Sequence, residues 1–293
     1  MKAAVWHGRQ DVRVQEVSDP PLPPPGQLQV EVAYCGICGT DLHEYIGGPL
    51  YIPADAPHPL TGVRAPVITG HEMSGRVVAV GEGVKGFSAG DRVAACPIVG
   101  CLECRWCKSG SMAQCDKVAF LGTSWTGGAF AERVNLHAYQ CYHLPDALSD
   151  EVAAMVEPFA STARAVLRGE VGAEDSVAIV GAGPIGLMSL MAAVIRGAKR
   201  VVAVEMAARR IELAKQCGAT AVINPKCEDP LQRARELTNG DGFDVVVECA
   251  GQQDTGLLAA RLTRTRGRLI VMGVFEKPAP LDFTDLVFRE KTV

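Results

Sequence analysis

Two textures divide the chain. Up to about residue 150, apolar and polar positions alternate over short runs, as in Val12-Arg13-Val14-Gln15-Glu16-Val17 and Gln27-Leu28-Gln29-Val30-Glu31-Val32. That is the period of a strand with one wet face. Val77–Val80, Arg92–Ala95 and Ala131–Val134 predict further strands, with Gly81, Gly83, Gly86 and Gly90 marking turns. The Pro-rich stretch Asp19–Gly26 suits a polyproline ligand, but a turn between two strands is the preferred reading. After about Ser149, short β-branched runs (Val177–Val180, Val201–Glu205, Ala221–Ile223, Asp244–Glu248, Arg268–Met272) are separated by helix-like stretches such as Ala207–Cys217 and Thr255–Thr263. Such alternation predicts a parallel sheet with helices on both faces. The expectation is therefore a β-rich domain over 1–150 followed by an α/β domain over 151–293.

Composition narrows this without redirecting it. A chain of 293 residues with 48% hydrophobic and 21% charged positions is globular and long enough for two domains. Its net charge of −4 gives no basic footprint for nucleic acid. The uncharged run Val177–Ile195 is long enough to cross a membrane. Gly181, Gly183, Pro184 and Gly186 cut it into a strand, a turn and a helix, so a soluble protein is expected. Met1–Trp6 is followed at once by His7, Arg9 and Asp11, so no apolar leader forms and the cytoplasm is the expected compartment.

In that compartment 11 cysteines read better as metal ligands or catalytic groups than as disulfides. Cys101, Cys104, Cys107 and Cys115 fall in the pattern C-x2-C-x2-C-x7-C. Short gaps let neighbouring thiolates converge on one ion and the long gap brings the fourth from the far side of a lobe over about 100–116, which gives a closed, structural zinc site. An iron–sulfur cluster is the alternative. Cys35, Cys96, Cys141, Cys217, Cys227 and Cys249 read as buried or partly buried small apolar residues.

Gly181-Ala182-Gly183-Pro184-Ile185-Gly186 follows an apolar strand and opens a helix, the context a dinucleotide-binding loop needs. Gly181 allows the tight turn, Gly183 lets backbone approach a pyrophosphate, and Gly186 lets helix and strand pack. Pro184 suits the first helical turn. Glu205, about 20 residues on, is placed to accept from ribose hydroxyls and to repel a 2′-phosphate, which favours NAD over NADP. Arg209 and Arg210 pull the other way.

The run Gly36-Ile37-Cys38-Gly39-Thr40-Asp41-Leu42-His43 and the pair His71-Glu72 supply a thiolate, an imidazole and a carboxylate. With Glu72 or a more distant acid as third ligand they suit a catalytic zinc site with one open position. Taken singly, His71 reads equally as a core histidine and Cys38 as a small buried residue.

On Gly36–His43, Gly70-His71-Glu72, the cysteine quartet, Glu157-Pro158 and Gly181–Gly186, in that order, the chain resembles the zinc-dependent medium-chain alcohol and polyol dehydrogenases, essentially end to end. The resemblance implies a GroES-like catalytic domain, a Rossmann-type NAD-binding domain and a cleft between them. It implies Cys38, His71 and Glu157 around a catalytic zinc, with Glu72 as an alternating ligand or one step removed. It also implies hydride transfer to nicotinamide, with Thr40 taking the hydroxyl proton and passing it through the nicotinamide ribose towards His43; Asp41 reads as structural. Segments 41–45, 48–53 and 58–62 narrow the likeness to the (R,R)-2,3-butanediol dehydrogenase branch. The implied substrate is a secondary alcohol or vicinal diol, with sorbitol-like polyols or threonine as alternatives, and the implied assembly is a dimer or tetramer. By the same resemblance the sequence stops near the start of a sixth sheet strand. A shortened C-terminus, an unpaired neighbouring strand and, as a reading of another class, a non-catalytic NAD- and zinc-binding fragment are therefore also expected.

Overall fold

A computed structural model describes residues Met1–Val293. The chain divides into two compact units, Met1–Glu157 and Pro158–Val293.

The first unit is built from short antiparallel strands. β1 (Lys2–Gly8) and β2 (Asp11–Glu16) form a hairpin, followed by β3 (Gln27–Gly36), helix α1 (Gly39–Gly47), β4 (Val67–Ile68), β5 (Glu72–Val80) and β6 (Arg92–Ala95). A small excursion follows: β7 (Ile98–Val99), helix α2 (Arg105–Lys108) and β8 (Ala119–Phe120). β9 (Arg133–His137), β10 (Cys141–His143), α3 (Asp150–Ala153) and the start of α4 (Val156–Arg168) complete the unit. The main sheet has the order β10-β6-β5-β3-β9, and a smaller one the order β2-β1-β4. Leu28, Val30, Met73, Val77, Val93, Leu121 and Leu136 make its core, each essentially removed from water, and Trp6, Ile52 and Val67 form a satellite cluster. The Pro-rich stretch connects β2 to β3, as expected. α1 lies where the sequence suggested a long connection. Its polar and apolar positions are too mixed to announce a helix, and side-chain anchors described below hold it.

The pairing of β3 with β5 decides where the chemistry falls. Its register runs from Leu28↔Val80 to Cys35↔Met73 and Gly36↔Glu72, with bulges between Gln29 and Val30 and between Val32 and Tyr34. Each bulge bends the strand and shifts its register by a residue. The last pair sets Gly36 across from Glu72, so the segment leading to Cys38 lies beside the one carrying His71.

The second unit alternates β11 (Ser176–Val180), α5 (Pro184–Ile195), β12 (Arg200–Val204), α6 (Ala208–Gln216), β13 (Ala221–Ile223), α7 (Pro230–Leu237), β14 (Phe243–Glu248), α8 (Gln253–Leu262), β15 (Thr263–Val271) and α9 (Phe283–Phe288). All strand pairs are parallel, in the order β13-β12-β11-β14-β15. Strand order reverses beside β11, and the carboxyl ends of strands at such a switch are where this architecture binds ligands. Both sheet faces are covered: Val177 and Ile179 join one core, Ala178 and Val180 the other. β15 begins at Thr263, five residues before the expected start, and takes in a residue assigned from sequence to the preceding helix. Its far flank is not bare: Thr292 N donates to Gly267 O (3.0 Å) and Leu269 N to Thr292 O (2.8 Å). The expectation of a wholly unpaired strand is corrected accordingly.

Candidate metal and cofactor sites

Cys38, His71 and Glu72 converge, each offering a ligand atom within 4.8 Å of the others. Cys38 caps the N-terminus of α1 while His71 and Glu72 lead into β5, so the β3–β5 register assembles the set. Two glycines make the room. A Cβ on Gly36 would lie 2.3 Å from Glu72 Oε2, and Gly70, at φ +91°, passes so close to Phe130 that a Cβ would meet its ring at 2.7 Å. Neither requirement is visible in residue type alone; a glycine two positions before a proposed ligand is the only signal.

The electrostatics suit a cation. Burial pushes the Cys38 thiol up to about 11, and Glu72 adds to the shift. The Glu72 carboxyl is raised, also chiefly by burial. Burial and then the Glu72 charge push Glu157 up to about 7. Cys38 and Glu72 are partly buried beside His71, and each of the three acidic groups, Glu157 included, is reluctant to ionise without a positive charge. The buried His71 Nδ1 has no hydrogen-bond partner, an expensive state for a polar atom in the interior. Donor set and orphaned nitrogen both fit zinc. Glu157 is outside the group that lies within 4.8 Å; the acid that joins Cys38 and His71 there is Glu72. Asp41 accepts from Cys38 N at 2.9 Å, which holds the ligand-bearing turn. Thr40 Oγ1 accepts from the Cys38 thiol at 3.7 Å. His43 follows three residues later on the same helix, half-buried.

Cys101, Cys104, Cys107 and Cys115 form the second group, again within 4.8 Å of one another. Here the backbone faces the sulfurs. Cys101 N and Lys117 N donate to Cys115 Sγ at 3.4 Å, Cys104 N to Cys101 Sγ at 3.4 Å, and Cys107 N to Cys104 Sγ at 3.5 Å. Leu102 adopts φ +62° to make the first of these turns, and a Cβ on Gly100 would sit 2.7 Å from Cys107 Sγ. N–H groups of Glu103 and Cys104 bring the Cys101 thiol down to about 6, and that of Cys107 leads the lowering at Cys104. Cys107 is driven up to about 12 by lost hydration and by its sulfur neighbours. Amides aimed at sulfur, with too much negative charge for all four to ionise alone, fit a fully ligated zinc. Of the remaining cysteines, Cys141 is buried and most are partly buried, but Cys227 is exposed, contrary to expectation, in the turn after Asn224.

In the second unit Gly181 takes φ +89°, and a Cβ on Gly186 would lie 1.8 Å from Gly181 O, so the loop closes only without side chains there. A Cβ on Gly183 would meet nothing within 4 Å. Gly183 caps α5 without a side-chain partner and Pro184 opens the helix, with Ile185 next. This leaves N–H groups and open space at a helix N-terminus, a cradle for phosphate. Glu205 follows β12 and spans the loop: Oε2 accepts from Ala182 N at 2.9 Å, Oε1 from Met206 N at 2.7 Å and Ala207 N at 2.9 Å. Burial works against its charge, but these amides and Arg210 outweigh it and leave the carboxyl below its ordinary range. Arg210 stands 3.8 Å from Glu205, whereas Arg209 pairs with Glu212. Sequence reasoning missed Glu248. This fully buried acid at the end of β14 accepts from Ala250 N (2.9 Å), Gly251 N (3.0 Å) and Thr255 Oγ1 (2.7 Å), fixing the turn beside the switch point.

Residues 24–146 match the family described as alcohol dehydrogenase GroES-like domain, and residues 184–293 that described as zinc-binding dehydrogenase. The chain is 40% identical over 293 residues to the (R,R)-butanediol dehydrogenase of Bacillus subtilis (strain 168), covering 100% of this chain and 83% of that protein. It is 36% identical to the sorbitol dehydrogenase of the same organism over 94% of this chain and 75% of that protein. The crystal structure of 2R,3R-butanediol dehydrogenase from Bacillus subtilis superposes with a TM-score of 0.93 at 39% identity, covering 100% of this chain and 82% of that one. The chain spans 82–83% of the length of these butanediol dehydrogenases.

Proposed function

The chain belongs to the zinc-binding, GroES-like alcohol dehydrogenase family, and on that premise we propose that its preferred substrates are vicinal diols of the 2,3-butanediol kind, interconverted with acetoin-like ketones. Family membership makes it a zinc-dependent, NAD-linked oxidoreductase of alcohols and diols. The observation that carries the site assignment is the convergence of Cys38, His71 and Glu72 around an orphaned buried nitrogen.

When bound, zinc supplies a Lewis acid for the substrate oxygen and NAD a hydride acceptor. Cys38, His71 and Glu72 would hold the metal, with Glu157, raised by burial and then by the Glu72 charge, as the further acid of the site. Three protein ligands would leave room at the metal for a substrate oxygen. Thr40 would take the substrate hydroxyl proton as it gives up its own, and the released proton would pass towards His43 and solvent. Gly181, Gly183, Pro184, Ile185 and Gly186 cradle the pyrophosphate, while Glu205 takes the ribose hydroxyls. Its retained negative charge supports NAD over NADP, with Arg210 flanking it. The cysteine quartet holds its lobe and takes no part in turnover. Assembly as a dimer or tetramer in the cytoplasm belongs to the same proposal; eleven unpaired cysteines support a reducing compartment.

The test is the zinc-loaded chain with NAD and (2R,3R)-butanediol, sorbitol, threonine or 2-butanol, following absorbance of the reduced nicotinamide. The diol should exceed the others in kcat/KM by about 10-fold or more, the worth of one well-placed polar contact. Preference for sorbitol or threonine overturns the diol assignment, and no reduction of NAD with any of them overturns the proposed catalytic site.

A further inference from the structure

Helix α1 carries Thr40 and His43 three residues apart, and Asp41 and Glu44 three residues apart beside them. Residues so spaced share a face, so the proposed proton path and a pair of carboxylates run along adjoining sides of one short helix. Asp41 anchors the N-terminal end through Cys38 N. The role of Glu44 is not explained by any requirement of metal or cofactor.

Glu44 is 1% exposed, a rare state for an acid. Its carboxylate is satisfied by the backbone of the turn that follows the helix. Leu50 N donates to Oε2 at 3.0 Å, Ile52 N to Oε1 at 3.0 Å, and Tyr51 N to Oε1 in a shorter contact. Its own carbonyl accepts the Trp6 indole N–H at 3.1 Å and Gly48 N at 3.1 Å. Gly48 is needed for this closure, because a Cβ there would lie 2.3 Å from Glu44 O and 2.5 Å from Oε2. Ile52 then drops into the cluster with Trp6 and Val67. An amide in place of the acid keeps the shape but turns an N–H₂ group towards backbone donors, and a buried donor left facing a donor is costly.

We infer that Glu44 is a positioning residue: it pins the C-terminal end of α1 to the 48–52 turn, as Asp41 pins the N-terminal end, so that His43 stays in register with Thr40 for proton transfer. The inference rests on the dehydrogenase reading above.

The experiment uses the zinc-loaded 293-residue chain with NAD and (2R,3R)-butanediol. Glu44→Gln should lower kcat about 10-fold, within the range of one proton-transfer group, with KM and zinc content held. In a His43→Ala background the same change should cost less than about twofold, since coupled residues are not additive. Gly48→Ala presses on the same point from the other side and should give the same kcat-selective loss, which covers a Glu44→Gln protein that fails to fold. Wild-type kcat in folded Glu44→Gln, losses that multiply with His43→Ala, or a fall in kcat that only tracks the folded fraction would each overturn the role. A wild-type chain inactive towards every alcohol removes the dehydrogenase reading and this inference together; an active wild type with unaffected variants removes only this one.

Discussion

The cysteine quartet and the Cys38–His71–Glu72 cluster both draw their ligand atoms to within 4.8 Å, yet they are assembled in different ways. The quartet comes from one continuous stretch, 101–115, and its own backbone turns N–H groups onto the sulfurs. The cluster comes from two separated segments that meet because β3 and β5 pair in one register. One site is self-contained and local. The other depends on a sheet, two bulges and two glycines that leave space. The difference points to what an ion would do at each: at the quartet it would organise the segment that binds it, while at the cluster it would bind where the fold has already placed the donors.

The sharpest way to break this contrast is to remove one ligand from each. His71→Ala should lower turnover at least about 1000-fold, the loss of Lewis-acid stabilisation worth several kcal/mol. Zinc should fall from about two ions per chain to about one, and the thermal midpoint should move by no more than about 3 °C. Cys104→Ala should do the reverse. Its midpoint should drop by about 10 °C or more, because metal binding there is folding energy, while molecules still folded turn over within about threefold of wild type. Calorimetry, metal analysis and initial rates on both variants decide it. Equal losses of stability would mean that both ions are structural.

The same contrast explains what could be read from the residues. The quartet is local, so its spacing alone pointed to a closed metal site, and Gly181–Gly186 after an apolar strand pointed to a phosphate cradle. Cys38 and His71 are individually ambiguous; read together with Glu72 or a more distant acid they suggested one zinc site, and the family resemblance added Glu157 as the third ligand. No local pattern announces a β3–β5 register with two bulges, so the choice between Glu72 and a more distant acid stayed open until the geometry placed Glu72 in the close set. Glu44 and Glu248 were missed for a related reason. Each looks like an ordinary charged residue until the backbone amides that bury it are in place.

A smaller perturbation compares the two sites by one substitution. Gly36→Ala puts a Cβ 2.3 Å from Glu72 Oε2, and Gly100→Ala puts one 2.7 Å from Cys107 Sγ. Displacing a ligand from its support typically costs about 10–100-fold in affinity or activity. Gly36→Ala should therefore lower kcat/KM by about that factor. Gly100→Ala should weaken zinc retention in a chelator competition by about 10-fold and leave kcat alone. A loss of kcat in Gly100→Ala would show that the lobe reaches into turnover.

The smallest effect concerns the charge stored in the cluster once metal is stripped. The Glu157 carboxyl is held at about 7, above its ordinary 4.5, by burial and by Glu72. In the folded chain it therefore binds its proton more tightly than in the unfolded one. Its contribution to stability is whole below about pH 4.5 and is lost as pH rises through about 7. Glu157→Gln is neutral throughout, so the metal-free variant should gain on metal-free wild type as pH rises from about 5 to 8. The gain should be about 1 kcal/mol, less than the roughly 3 kcal/mol of a rigid site, because water and side-chain motion relax a buried charge. The two denaturation curves should converge below about pH 4.5. Curves that stay parallel across the range would mean that Glu157 is hydrated in the folded chain. The cluster would then lack the crowding of buried acids that makes it the counterpart, rather than a copy, of the amide-lined quartet.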